Sequence, residues 1–215
     1  MVTAADPDNT RTSVWLAAGP AAPARRRCEG AFGLDRERIT GATVRLLDAE
    51  GLARFSMRRL AAALGVTAMS LYWYVDTKHD LLELALDRAL GEIPLPPPGP
   101  ARTAAECGRE GWCGRLRLLA CGYRGLLAEH PWVAALAAAY PNIGPHARAF
   151  DSALQRLLDA TGLADAARTG AHLAVSQFLH GCGATARRVP DGDFGLALDV
   201  LIAGIQAKAA APQAP

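Results

Sequence analysis

The stretch LGVTAMSLYWYVDTKHDLL, running from Leu64 to Leu82, decides how the chain is read. Three aromatics, Tyr72, Trp73 and Tyr74, stand side by side in a chain that is only 6% aromatic. Thr67 is suited to cap a helix, because its side-chain oxygen can accept from the free N–H groups of the first turn. Successive residues of an α-helix are rotated by about 100°. If Leu71 and Val75 point to a core, Trp73 points almost opposite, together with Met69 and Ser70. Tyr72 and Tyr74 then fall on the flanks. A core helix would not set its largest residue opposite its Leu/Val stripe. The face of Met69, Trp73 and the tyrosines is therefore expected to look outward.

An outward aromatic face fits a partner protein, a membrane surface or a nucleic acid, and the flanking sequence chooses among them. In FSMRRLAAALG, Ser56 caps a short helix, Phe55 and Leu60 occupy the positions of a hydrophobic staple, and Gly65 closes it. The tight Val66-Thr67 turn leads straight into the aromatic segment. Two short helices joined in this way form a helix-turn-helix, whose second helix enters the major groove of DNA. Between Arg54 and Lys78 the basic residues Arg54, Arg58, Arg59 and Lys78 face one acid, Asp76. Arg58 and Lys78 bracket the recognition helix, where phosphate or guanine contacts are made. Tyrosine hydroxyls can donate to phosphate oxygens, and ring edges can touch thymine methyls.

Working outward, LDRERITGATVRLLDAEG reads as a preceding helix. Asp35 is its cap, Ile39, Ala42, Thr43, Leu46 and Leu47 are its apolar stripe, and Gly51 is placed to end it in the left-handed conformation. After the aromatics, Thr77 and Asp80 stand in capping-box spacing at the head of a further helix, which Pro94 stops. PLPPPGP forms a stiff connector. Beyond it come several apolar-striped helical segments, and none alternates long enough for a sheet. The fold expected is all-α: a helix-turn-helix domain over residues 34–92 and a helical bundle over 93–215. Residues 1–33, rich in Ala, Pro, Gly and Arg and containing Arg25, Arg26 and Arg27, are read as a flexible arm.

Composition removes other classes. No apolar run reaches the roughly 18 residues needed to span a bilayer. The N-terminus lacks the basic start and long apolar centre of a secretory signal, so the chain is expected in the cytoplasm. Net charge is +2, which says little alone; basic residues are in local excess between Arg54 and Lys78 and again at Arg25, Arg26 and Arg27. The five cysteines, Cys28, Cys107, Cys113, Cys121 and Cys182, are odd in number and irregularly spaced, which argues against a disulfide framework. Without close Cys or His pairs, no metal or cofactor is expected. Neither a G-x-S-x-G elbow nor a phosphate-binding glycine loop is present, so no enzyme is expected.

The segment SMRRLAAALGVTAMSLYWYVDTKHDLLELALD resembles the DNA-binding domain of tetracycline-repressor-like (TetR family) regulators. LYWYV followed by Asp-Thr-Lys and DLL is close to that family's signature, and the likeness extends over residues 34–92. Beyond Pro94, helix order and the closing FGLALDVLIAGI are similar to the tetracycline-repressor type of C-terminal domain. The resemblance implies that Arg58 reads a base. It implies that Ala68, Met69 and Ser70 form the base-contacting start of the recognition helix. By the same likeness Tyr72, Trp73 and Tyr74 touch thymine methyls, sugars and phosphates, and Ser56 and Lys78 anchor phosphates. Tetracycline repressors carry Gln-Pro where this chain has Ala68-Met69, so a different operator is implied.

The family's members are homodimers on near-palindromic operators, and two-fold symmetry in the protein requires it in the DNA. Candidates for the dimer face are Phe150, Leu154, Leu157, Leu158, Leu198, Leu201 and Ile202, each of which equally fits a monomer core. Family members also bind a small-molecule effector in the C-terminal bundle. Effector and DNA antagonise each other, because each prefers a different conformation. Candidate pocket residues are Trp112, Tyr123, Trp132, Tyr140, Asn142, His172, Gln177, Phe178 and His180; each also fits ordinary packing. Ile93-Pro94 stands where tetracycline repressors have a drug-binding histidine, so a magnesium–tetracycline inducer is not implied. Two alternatives keep the same DNA-binding module: a redox sensor switching through Cys107, Cys113 or Cys121, and a ligand-independent DNA binder.

Overall fold

The computed structural model describes residues 13–17, 34–97, 111–185 and 189–211. Among them every regular element is helical. The order is α1 (Val14–Ala17), α2 (Arg36–Glu50), a 3-10 turn (Leu52–Arg54), α3 (Met57–Leu64), α4 (Ala68–Leu71), α5 (Lys78–Leu90), α6 (Trp112–Glu129), α7 (Trp132–Ala139), α8 (Pro145–Asp159), α9 (Asp165–Thr185) and α10 (Asp191–Ala210). Arg25, Arg26, Arg27, Cys28 and Cys107 lie outside the described residues.

Local chemistry sets the boundaries of the first helices. Asp35 accepts from Arg38 N at 2.6 Å, Ser56 from Arg59 N at 3.3 Å, and Thr67 from Ser70 N at 3.3 Å. Thr77 and Asp80 form a reciprocal capping box, each side chain accepting from the other's backbone N–H at 3.0 Å. Gly65 ends α3 with φ 69° and ψ 29°, the left-handed conformation a β-carbon disfavours. Gly51 departs from expectation. Its φ is 76° but its ψ is 164°, so the chain leaves α2 in a different region that only glycine enters readily.

α5 is the spine of the molecule. α2 packs along it, and so do α6, α7 and α8 from the far side. Nine of its residues are buried, including Leu81, Leu84, Ala85 and Leu86. Two of the nine are acids with buried partners. Asp87 accepts from the backbone N–H groups of His146 and Ala147, both at 3.0 Å, so it caps α8 from another helix. Glu83 accepts from the hydroxyl of Ser13. That contact corrects the expectation that regular structure begins at Leu34: α1 is a single turn seated on α5, with Val14 and Trp15 packed against the core.

Candidate nucleic-acid interface

α3 and α4 pack together as the two arms of the helix-turn-helix, with α2 and α5 behind them. α4 is short. After Leu71 its path continues through hydrogen-bonded turns, Tyr72 N to Met69 O at 3.2 Å, Tyr74 N to Leu71 O at 3.0 Å and Val75 N to Leu71 O at 3.2 Å. The helical wheel therefore holds past the end of the helix proper. Leu71 is completely buried and Val75 nearly so. Trp73 is 76% exposed and Met69 72%, with Tyr72 also exposed and Tyr74 half-buried. Large apolar groups on this scale normally leave water, so a surface that keeps them there marks an interaction site.

The polar residues around this face divide into engaged and available groups. Arg59 is held by Glu50, with Nε 2.6 Å from Oε2. Arg58 is exposed, and no partner for it occurs among the described residues. Ser70 is half-buried, its hydroxyl 2.8 Å from that of Thr67, and Ala68 is half-buried beside it. Ser56 carries the cap of α3. Lys78 is not free-standing: its Nζ donates to Phe55 O at 3.1 Å and lies 5.4 Å from the centre of the Phe55 ring. The ammonium has three donors, so two remain for a partner at the mouth of the turn. Sequence reasoning missed this tether, because 23 residues separate the pair.

The nine candidate pocket residues do not converge. Trp132 is buried at the α2 side of the molecule, donating from Nε1 to Asp48 Oδ1 at 2.7 Å. His172 is half-buried, its Nε2 2.8 Å from Asp151 Oδ1. Trp112 is buried in the core, and Gln177 is exposed on α9. Tyr140 and Asn142 line a small cleft with Trp15, Glu83, Leu86 and Asp87. The Tyr140 hydroxyl is 2.7 Å from His79 Nδ1, while Asn142, at φ 50°, ties the end of α7 by donating to Ala137 O and Tyr140 O.

A second aromatic group lies between α6, α8, α9 and α10. Tyr123 packs against Phe150 at 5.5 Å and His180 at 6.2 Å between ring centres, and Phe178 stacks on Phe194 at 5.3 Å. Burial, with a smaller contribution from Cys182, pushes the Tyr123 hydroxyl up to about 12, and burial lowers the pKa of His180. Arg124 is planted over Phe194, 4.8 Å from the ring centre, and pairs with Asp191 at 2.7 Å. Phe194 and Arg124 were not among the expected residues; nothing in the local sequence joins α6 to the start of α10.

Five of the seven residues expected at the dimer face lie inside the single chain. Leu154, Leu157, Leu158, Leu198 and Ile202 are buried within the single chain, and Phe150 and Leu201 are half-buried against its core. The apolar side chains that reach solvent on the last two helices are others: Leu173 at 59%, Leu196 at 66% and Val200 at 74% exposed. On α10, Phe194, Leu198, Ile202 and Ile205 point inward while Leu196 and Val200 point out. The helix therefore carries two apolar faces. Among the cysteines, Cys113 is buried and accepts from Gln206 at 3.4 Å, Cys121 is exposed and Cys182 half-buried. Cys113 and Cys121 stand eight residues apart on one helix, about 12 Å along its axis, too far to be bridged.

Residues 39–85 match the family model for bacterial regulatory proteins of the tetR family, and residues 105–192 match that for the tetracyclin repressor-like C-terminal domain. An HTH-type transcriptional regulator of Saccharopolyspora erythraea is 39% identical over 148 residues, covering 69% of this chain and 59% of that protein. The HTH-type transcriptional repressor DrrR1 of Streptomyces coeruleorubidus is 34% identical over 148 residues, covering 69% of this chain and 52% of that one. The chain thus spans between about half and three-fifths of the length of these relatives. Among solved structures, Streptomyces coelicolor ActR in complex with actinorhodin aligns with a TM-score of 0.70 and 26% identity, over 83% of this chain and 99% of that one. BioQ with its double-stranded DNA operator aligns with a TM-score of 0.67 and 25% identity, over 81% of this chain and 99% of that one. From the capped helix-turn-helix through the all-helical C-terminal half, this chain belongs to the TetR family of bacterial regulatory proteins.

Proposed function

We propose that this chain is a homodimeric, effector-responsive transcriptional repressor that acts in the cytoplasm and carries no catalytic activity of its own. The observation that carries the reading is the exposed face of Met69, Tyr72 and Trp73 on a capped helix-turn-helix, with Arg58 available beside it. Residues 34–92 form the DNA-binding unit in this reading, and residues 93–215 carry effector binding and dimerisation. Ala68, Met69, Ser70 and Arg58 read base edges; Ser56, Tyr72, Trp73, Tyr74 and Lys78 grip the backbone and sugars. BioQ, solved with its operator, and ActR, solved with actinorhodin, support the two halves of the proposal by likeness.

The effector fits best beside the rings of Tyr123, Phe150, Phe178, His180 and Phe194, which join α6, α8, α9 and α10. A flat, largely apolar molecule with few hydrogen-bonding groups suits that lining. The outward residues Leu173, Leu196 and Val200 replace the earlier dimer candidates. Among the described cysteines, nothing in the geometry favours the redox alternative.

Footprinting of genomic fragments with the purified protein tests the reading. A protected near-palindrome is expected, and Arg58→Ala should weaken it by about 1–3 kcal/mol while relaxing discrimination at one base pair per half-site. Affinity should fall steeply with salt as counterions are released. Absence of any protected site, or a variant whose sequence preference is unchanged, removes the assignment.

A further inference from the structure

Three carboxylates and one imidazole meet where the end of α5 reaches the corner between α6 and α7. His130 is buried; its Nδ1 lies 2.7 Å from Asp48 Oδ1 of α2, and its Nε2 lies 3.1 Å from Glu92 Oε2, just past α5. Asp48 Oδ1 also accepts from Trp132 Nε1 at 2.7 Å, so it is fixed from two directions. The ligand atoms of Glu92, Glu129 and His130 all lie within 4.8 Å of one another. We propose that Glu92, Glu129 and His130 form a binding site for a divalent first-row cation that accepts mixed nitrogen and oxygen ligands, such as Mn²⁺ or Zn²⁺.

The donor geometry comes first. Two ligand atoms on one zinc-sized ion, each about 2.0–2.2 Å from it, stand roughly 3–3.5 Å apart. His130 Nε2 and Glu92 Oε2 are already at that separation. Glu129 is the last residue of α6 and is exposed, and its carboxylate already lies within 4.8 Å of the other two ligand atoms.

The second argument is the support behind the histidine. Asp48 Oδ1 accepts the Nδ1–H of His130, and a cation at Nε2 would take the place of the proton that this nitrogen shares with Glu92 Oε2. A carboxylate behind the imidazole fixes ring orientation and raises ligand basicity, the arrangement that backs metal-bound histidines. The indole N–H of Trp132 holds that carboxylate in turn. This support is independent of the two exposed glutamates and does not need them.

Charge points the same way. The pocket attracts a positive charge to Nε2, and a proton neutralises only one of the three carboxylates. A divalent ion in its place neutralises two and ties the end of α5 to the α6–α7 corner.

The test uses the full-length protein, freed of metal by a chelator and titrated with Mn²⁺ while the signal of free Mn²⁺ is followed by electron paramagnetic resonance. Mn²⁺ is the probe because thiolates prefer softer ions and compete poorly for it. One ion per chain is expected to bind. Glu92→Gln and Glu129→Gln alter exposed side chains and leave the fold intact, and each should weaken binding at least about tenfold. Asp48→Asn should weaken it by roughly 10–100-fold. No binding to the wild-type protein below millimolar Mn²⁺, or wild-type affinity retained in both glutamine variants, overturns the site. A Zn²⁺-induced rise in Tm should be lost in Glu129→Gln; an equal rise in both proteins places the zinc on the cysteines and also overturns it.

Discussion

Leu71 and Trp73 are two residues apart and answer to different forces. Leu71 has no exposed surface, and Trp73 keeps most of its own in water. Leu71→Ala should therefore cost about 2–5 kcal/mol of stability, from lost transfer energy and the cavity left behind. Trp73→Ala should change stability by no more than about 0.5 kcal/mol, as exposed sites usually do. Its effect should fall on the operator complex instead, with affinity lower by roughly tenfold, the size of one truncated hot-spot contact. Urea unfolding and fluorescence anisotropy on operator DNA separate the two outcomes; a large loss of stability in Trp73→Ala would return the ring to the core. This division was legible in the sequence, because a helical wheel and a cap need only nearby residues. The tether from Lys78 to Phe55 was not legible, since it depends on α5 folding back beside α3.

Among the elements, α5 and α8 are joined by one buried carboxylate. Pro145, first in α8, has no N–H to satisfy, and the next two N–H groups point at Asp87 of α5. Such close approach requires glycine at 144, where a β-carbon would stand 2.2 Å from Asp87 Oδ1. Gly144→Ala should push Asp87 off the end of α8 and destabilise the protein by about 1–3 kcal/mol, the usual cost of overpacking. Gly125→Ala on α6, where nothing lies within 4 Å, is the control and should be neutral or slightly stabilising. Equal thermal melts for the two variants would remove Asp87 as the joint. The sequence showed α5 as a capped helix and the α8 region as one of several apolar-striped helical segments. It could not show that an acid on one caps the other. α1 was missed for a related reason: a single turn has no period, and it rests on contacts with a helix more than sixty residues away.

For the whole molecule, the question raised by the proposed homodimer is which apolar face of α9 and α10 is left for a second copy. Amphipathic pattern alone chose Leu154, Leu158, Leu198 and Ile202, because strong stripes are the usual mark of a face that is covered. They are covered, but by their own chain. The remaining face carries Leu173 on α9 and Leu196 and Val200 on α10, with exposed Gly170, Ala174, Ala197 and Gly204 nearby on the same helices. Small residues at such positions let two helices approach closely, and an isologous contact would bring each helix against its counterpart. Val200→Asp should thus convert the dimer to monomer at micromolar concentration in sedimentation velocity, while the thermal transition of the isolated fold survives. Operator affinity should fall with it, since one recognition helix then grips one half-site. Leu198→Ala, two positions away on the opposite face, should instead lower stability by about 2–5 kcal/mol through an internal cavity. A Val200→Asp protein that still sediments as a dimer would move the interface to another surface of the bundle.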